Sequence, residues 1–196
     1  MKTLLYLKAL IKDRYVASIT PSSRFAVASI CKKVDFQRNN LIVEYGPGTG
    51  VFTVEILKQM SADSRLIAIE RNENFYRTLK NSLQDSRLEI FHDCVANLPQ
   101  ILAGSNGLGV DYVISGIPFS FFPRDFRHLV LSNTHRSLKT GGKFLAYQTF
   151  YQPDEHLRAH LETLFPVVHK EYVLLCVPPL LIYEAVKGRC GPAFAS

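Results

Sequence analysis

The sequence predicts an α/β fold, a mostly parallel sheet with helices on both faces that ends in an antiparallel hairpin. Three observations carry that expectation. Short apolar runs alternate with longer periodic stretches from residue 41 to residue 149. Two further apolar runs, 167–177 and 181–187, are separated only by Pro178, Pro179 and Leu180, whereas a parallel crossover needs a dozen residues or more. Finally, 196 residues with 47% apolar composition can close one substantial core, and two domains would be crowded.

At the N-terminus, Leu4, Leu7 and Ile11 fall on one helical face with Leu10 flanking, while Lys2, Lys8 and Lys12 lie to the other side; Leu5 interrupts the pattern. Such a helix over 1–14 either packs on the domain or lies in a membrane interface. Thr20-Pro21 opens a second helix over 21–34, with Thr20 as N-cap and Pro21 in the first helical position. The strand LIVEY, 41–45, runs into Gly46, Gly48 and Gly50, and a helix over 50–60 opens with VFTVEIL. RLIAIE (65–70) and RLEIF (87–91) are the next strands, with helices over 72–84 and 94–103 after them. VDYVIS (110–115) is followed by a helix over 124–138, with Gly141-Gly142 as its stop signal, and then by the strand GKFLAYQT (142–149). A helix over 153–164 precedes the hairpin. The chain thus divides into an N-terminal helical region (1–34), a main domain (35–187) and a tail (188–196) that carries little signal.

The net charge of +6 favours an anionic partner: nucleic acid, an acidic membrane surface or a phosphorylated ligand. The cysteines, Cys31, Cys94, Cys176 and Cys190, form no CxxC pair, so neither a metal site nor a disulfide framework is expected and a reducing, cytoplasmic setting fits. Lys8, Lys12 and Asp13 interrupt the first leucines and no small-residue cleavage site follows, which argues against a signal peptide. Nowhere do about 18 uninterrupted apolar residues suggest a spanning helix.

The three alternating glycines after LIVEY exceed what a plain strand-to-helix turn needs. Without side chains they let the backbone turn sharply and approach a ligand, while the helix N-terminus points free amides at it. Glu70 ends the next strand, where an acid can accept hydrogen bonds from both hydroxyls of a ribose. Any nucleoside-containing cofactor, NAD included, fits that far. The spacing then decides: a G-x-G-x-x-G dinucleotide loop counted from Gly46 needs glycine at Val51, and the third glycine falls one residue early, at Gly50.

The stretch VEYGPGTG resembles the first motif of the class I S-adenosylmethionine-dependent methyltransferases, a Rossmann-like seven-stranded sheet whose usual finish is an antiparallel hairpin. The resemblance covers about residues 15 to 187. It implies that Glu44 helps position the methionine part of S-adenosylmethionine, that Gly46, Gly48 and Gly50 make room for it, and that Glu70, followed by Arg71, holds the ribose. It also implies that Asp93 meets the adenine amino group beside the Cys94 amide, although Asp93 is equally an N-cap for the helix after it. The segment before the 21–34 helix closes over the cofactor in related enzymes, which gives Thr20 a second role.

The loop after the fourth strand, SGIPFSFFP, should face the transferred methyl. Ser115 and Gly116 bring the backbone close to cofactor and acceptor, Pro118 stiffens the turn, and Phe119 is the aromatic expected in the site; Phe121 and Phe122 either join it or pack under the neighbouring helix. Nucleic-acid adenine methyltransferases carry a related loop with Asn or Asp where this chain has Gly116, which weakens a likeness to the ribosomal RNA adenine dimethyltransferases. The loop is more similar to the S-G-(Leu/Ile)-P loop of bacterial phospholipid N-methyltransferases, as are VASITPSSRF (16–25) and VPPLLIYEAVK (177–187). That resemblance implies in-line methyl transfer to a headgroup amine of the phosphatidylethanolamine type and a peripheral place on the inner face of the membrane. Tyr15, Tyr147 and Tyr151 are candidates for a general base by position only. An RNA or small-molecule methyltransferase and a non-catalytic cofactor-binding module are the rival readings.

Overall fold

The computed structural model describes residues 23–103, 109–152, 155–176 and 178–188. The helix expected over 1–14, Tyr15, Thr20 and the end of the tail lie outside the described residues. Among the described residues seven strands form one sheet in the order β3-β2-β1-β4-β5-β7-β6. In chain order the elements are α1 (Ser23–Cys31), β1 (Leu41–Tyr45), α2 (Val51–Gln59), β2 (Arg65–Glu70), α3 (Glu73–Ser82), β3 (Leu88–His92) and α4 (Leu98–Ala103). They continue with β4 (Val110–Ser115), α5 (Arg124–Ser137), β5 (Leu138–Thr149), α6 (Glu155–Leu164), β6 (Val167–Val173) and β7 (Leu180–Val186).

β1 and β2 are interior strands, and their near-continuous apolar runs are the signature of strands buried on both faces. Alternate residues feed two cores. Val43, Tyr45, Ile67 and Ile69 point to the face covered by α4, α5 and α6, where Leu98, Val130, Leu157 and Leu161 meet them. Ile42, Leu66, Ile114 and Leu145 point to the other face, against Ala26 and Ile30 of α1 and Phe52 and Ile56 of α2. The end of α1 is tied to the closing hairpin by charge: Lys33 Nζ lies 2.7 Å from Glu171 and 3.3 Å from Glu184, and Lys143 lies 2.7 Å from Glu184.

The hairpin is antiparallel as its short connection requires, with Val173 opposite Leu180 and β7 paired antiparallel to β5. The first of its strands stops at Val173, because Leu174 and Leu175 turn out to solvent. Two helix expectations are corrected. The segment 94–103 divides into a single 3-10 turn, Val95–Asn97, and the short α4, with Pro99 in the first turn, where a missing amide costs nothing. Gly141-Gly142 does not stop a helix: α5 ends at Ser137, Leu138 is already extended, and both glycines lie inside β5. They mark the place where β5 changes register on β4, from Val110 opposite Leu138 to Tyr112 opposite Lys143. A Cβ on Gly142 would stand 2.9 Å from the Lys139 carbonyl and 3.0 Å from that of Val110, so the site excludes a side chain. Among the described residues no helix is long and apolar enough to cross a membrane.

Candidate functional site

The strand order reverses between β1 and β4, which opens a crevice at their carboxyl ends. Three backbone hydrogen bonds carry the parallel pairing one residue past the strand ends: Gly46 N to Ile69 O (3.0 Å), Gly116 N to Tyr45 O (3.1 Å) and Asp93 N to Glu70 O (3.2 Å). The loops after β1, β2, β3 and β4 therefore leave the sheet at one height. Between them lies a cavity of about 370 Å³, lined among others by Gly46, Gly48, Glu70, Cys94, Gly116 and Pro118.

Gly46 takes φ +65° with its missing Cβ aimed at Ile117 Cγ2, 2.7 Å away, so the β1 and β4 loops touch only because residue 46 is glycine. Gly48, at φ +57°, has nothing within 4 Å of its Cβ position and leaves open space. Gly50 serves a different purpose from the one expected. It begins α2, packs under Leu79 and lines a second, shallower groove between α1 and α2. The described part of the 21–34 segment, α1, lines that rear groove too, and none of its residues lines the cavity.

Two carboxylates stand by the glycines. Glu70 accepts from the Gly48 amide at 3.1 Å and from the Asn72 amide at 2.7 Å. Burial pushes its pKa up and these amide bonds pull it back, leaving it above the ordinary value. A carboxylate has about four lone-pair positions, so Glu70 keeps acceptor capacity toward the cavity. Glu44 is buried in β1 and accepts from Thr53 Oγ1 at 2.7 Å; burial, with the Glu70 charge adding to it, pushes its pKa from 4.5 to about 7. The open space at Gly48, the acceptor capacity Glu70 keeps beyond the Gly48, Arg71 and Asn72 amides, and the size of the cavity fit the ribose and adenine of S-adenosylmethionine.

Other expected residues fall in varied places. Arg71, Cys94, Gly116 and Pro118 line the cavity beside Glu70. Asp93 is half-buried and works as a turn-former, its Oδ1 accepting from the Cys94 amide (2.6 Å) and Asn97 Nδ2 (2.8 Å). The Ser115 hydroxyl is fully buried without a hydrogen-bond partner. Phe119 is a correction: its ring is 1% exposed, packs edge-on against Phe144 and Phe122 in the core, and does not line the cavity. The 3-10 turn Phe119–Phe121 rolls that ring inward and brings Phe122 to the cavity instead, beside Phe126 of α5. Phe121 is exposed.

Gly116 has a buried neighbour on its other side. A Cβ there would lie directly against the Tyr147 hydroxyl and 2.6 Å from Tyr147 Cζ, so the tyrosine occupies the room of a side chain at 116. Tyr147 stacks on Phe52 with ring centroids 4.5 Å apart, and burial plus the Glu44 charge raise its pKa far above the ordinary phenol value. It is no base at neutral pH. Tyr151 is exposed. Sequence reasoning missed Asn72, which also caps α3 by accepting from the Asn74 and Phe75 amides (3.0 and 3.2 Å); the RNEN stretch carried that cap signal. It also missed Phe75 and Phe126, whose helical registers gave no sign of a ligand. Among the described residues no group of His, Cys, Asp and Glu is placed to hold a metal ion.

Three comparisons bear on this site. The sequence model of the ribosomal RNA adenine dimethylase family matches residues 13–97. An ornithine lipid N-methyltransferase of Singulisphaera acidiphila is 28% identical over 145 residues, 70% of this chain and 76% of that protein. Among solved structures, precorrin-6y C5,15-methyltransferase from Geobacter metallireducens superposes with a TM-score of 0.65 at 18% identity, over 83% of this chain and 87% of that one. The Burkholderia thailandensis 1,6-didemethyltoxoflavin-N1-methyltransferase, with bound S-adenosylhomocysteine, gives 0.66 at 18% identity, over 94% and 86%. At these identities the likeness to both is one of fold.

Proposed function

We propose that this chain, a class I S-adenosylmethionine-dependent methyltransferase, N-methylates the headgroup amine of a phospholipid of the phosphatidylethanolamine type. The observation that carries the choice of acceptor is the pair Gly116 and Tyr147. A base held by an amide or carboxylate side chain needs that side chain on the β4 loop, and here the position is glycine with its side-chain space filled. The match to the adenine dimethylase family ends at residue 97, before this loop begins, so it speaks for the donor half alone. Similarity to a lipid N-methyltransferase spans more of the chain and supports the same reading.

When bound, S-adenosylmethionine supplies an electrophilic methyl on a sulfonium. Glu70 and the glycine loop would hold the donor's nucleoside end; Glu44 is buried behind the loop and does not line the cavity, so its charge would act on a cationic ligand only from a distance. Gly116 leaves a bare backbone edge for an approaching amine, and Pro118, with its fixed φ, stiffens the loop for the in-line alignment on which such transfer depends. The amine arrives neutral or loses its proton to solvent, since Tyr147 is held protonated. The test is incubation with labelled S-adenosylmethionine and, in parallel, phosphatidylethanolamine vesicles, ribosomal RNA and a small-metabolite fraction. Label is expected in the lipid. Label in RNA or metabolites overturns the acceptor, and cofactor binding without transfer to any fraction favours a non-catalytic binding module.

The division of the chain into an N-terminal region (1–34) and a catalytic domain (35–187) belongs to the same proposal. The α1 helix, packed on α2 and β6, joins the two.

A further inference from the structure

Resting on the lipid reading above, we propose that the sheet edge holding the cofactor cavity is also the face that docks on a lipid bilayer, through apolar tips on three loops. Strand direction fixes their placement. β1 to β5 run parallel, and β6 runs in the same sense because it pairs antiparallel with β7, which pairs antiparallel with β5. The ends Ser115, Thr149 and Val173 therefore share one edge, with Leu180 opposite both Thr149 and Val173. Among the described residues, several apolar side chains that follow these strand ends stand exposed. Phe121 beyond β4 is 59% exposed, Phe150 and Tyr151 beyond β5 are 52% and 67% exposed, and Leu174 and Leu175 beyond β6 are 73% and 68% exposed. The Phe150 amide donates to the Pro179 carbonyl at 3.0 Å, which fastens the β5 tip to the hairpin turn.

A single exposed leucine is ordinary on a protein surface. Five leucine and aromatic tips from three separate loops at one edge are not, and these are the side chains that settle into the interfacial layer of a bilayer. Arg124 lies three residues after Phe121 beside Asp125, and Lys170, next to Glu171, has its Nζ over the Tyr172 ring at 5.0 Å, in a chain of net charge +6. The bilayer is the occupant that the site's own chemistry requires. A phospholipid keeps its acyl chains in the membrane and presents only its headgroup, so the cavity mouth at Gly48, Gly116 and Pro118 has to face the membrane. The apolar tips lie along that mouth, on the β5 and hairpin side of it.

The chain contains no tryptophan, so Leu175→Trp and Tyr151→Trp each place a single reporter on this edge, and Val167→Trp places one at the opposite end of β6. The full-length variants are mixed with vesicles of phosphatidylethanolamine and phosphatidylglycerol. Emission from the first two is expected to shift to the blue and to be quenched by brominated acyl chains, and emission from Val167→Trp to do neither. Leu174→Asp combined with Leu175→Asp is expected to lower the vesicle-bound fraction about tenfold, with S-adenosylmethionine affinity unchanged. The proposal is overturned if the chain does not bind vesicles, or if it binds them with the edge reporters unquenched. It is equally overturned if those reporters are blue-shifted before vesicles are added, because residues 1–22 or a second copy of the chain then cover the edge. Quenching without methyl transfer to lipid removes the acceptor reading and leaves the docking face standing. Transfer to detergent-dispersed lipid with no quenching on vesicles does the reverse.

Discussion

Glu44→Gln separates the cost of the cofactor site from its use. Moving the Glu44 pKa from 4.5 to about 7 means that the ionised carboxylate is disfavoured in the fold by about 3 kcal/mol, at 1.36 kcal/mol per pH unit. The sign follows from linkage. A carboxyl whose folded pKa is raised contributes stability that is fully present below pH 4.5 and is lost as the pH rises to about 7. Glutamine cannot ionise, and it keeps an oxygen for the Thr53 hydroxyl bonded to Glu44 at 2.7 Å. Without cofactor, the variant is therefore expected to be more stable than the parent by about 3 kcal/mol at pH 8, which for a chain of this size is roughly 6–12 °C in Tm. At pH 5 the gap should close to about 1 kcal/mol. Thermal or urea melts at the two pH values measure it, and a gap independent of pH would refute the reasoning. The same charge should matter to a cationic ligand. Affinity of the parent for S-adenosylmethionine is expected to fall as the pH drops below about 7, and that of the variant to be flat over the same range. Calorimetry across pH 5 to 8 distinguishes the two profiles.

Glu70→Ala removes the acceptor of the Gly48 and Asn72 amides, and with charged hydrogen bonds worth about 1.5–3 kcal/mol it should weaken cofactor binding by about 10- to 100-fold; unchanged affinity by calorimetry would remove Glu70 from the site. Gly116→Ala forces a methyl against Tyr147 and should cost about 1–3 kcal/mol in urea unfolding. Adding Tyr147→Leu to that variant should return part of the loss relative to Tyr147→Leu alone, and strict additivity of the two changes would show that the residues do not compete for space. Phe119→Ala should cost about 3–5 kcal/mol of stability as a core truncation, with turnover per folded molecule kept within about twofold; parental stability with lowered turnover would return the ring to the acceptor site.

The parts of the fold that could be read from the sequence are those coded locally. β1, β2 and β4 fall where their apolar runs place them, because a strand buried on both faces needs an unbroken run and tolerates little slippage. The hairpin followed from the length of its connection alone. The misreadings arose where one residue type serves two geometries. A glycine pair ends a helix or admits a register change in a strand, and only the Val110 and Lys139 carbonyls packed against Gly142 show which applies. The site divides in the same way. Gly46, Gly48 and Glu70, whose spacing alone carries a signal, line the cavity. The inward roll of Phe119 depends on the 3-10 turn and on Phe144, and no local pattern announces either.

The donor and acceptor halves also differ in how a change at one residue propagates. The donor half is built from backbone: Gly48 and Asn72 offer amides to Glu70, and substitution elsewhere in the loop leaves those groups in place provided the glycines remain. The acceptor half rests on a pair of residues from neighbouring strands, β4 and β5, whose registers set Ser115 against Ala146 and so bring the residues beyond them, Gly116 and Tyr147, together. An amide side chain introduced at 116 meets the tyrosine before it meets any substrate. Tyr147 in turn is fixed by its stack on Phe52, the second residue of α2, which begins at the end of the glycine loop. On the proposed lipid reading, changing the acceptor to a base would require concerted substitution at 116, 147 and the packing behind them, whereas the donor site could stay as it is. That asymmetry accounts for a chain whose first half matches an adenine dimethylase family while its similarity to a lipid N-methyltransferase extends further along the sequence.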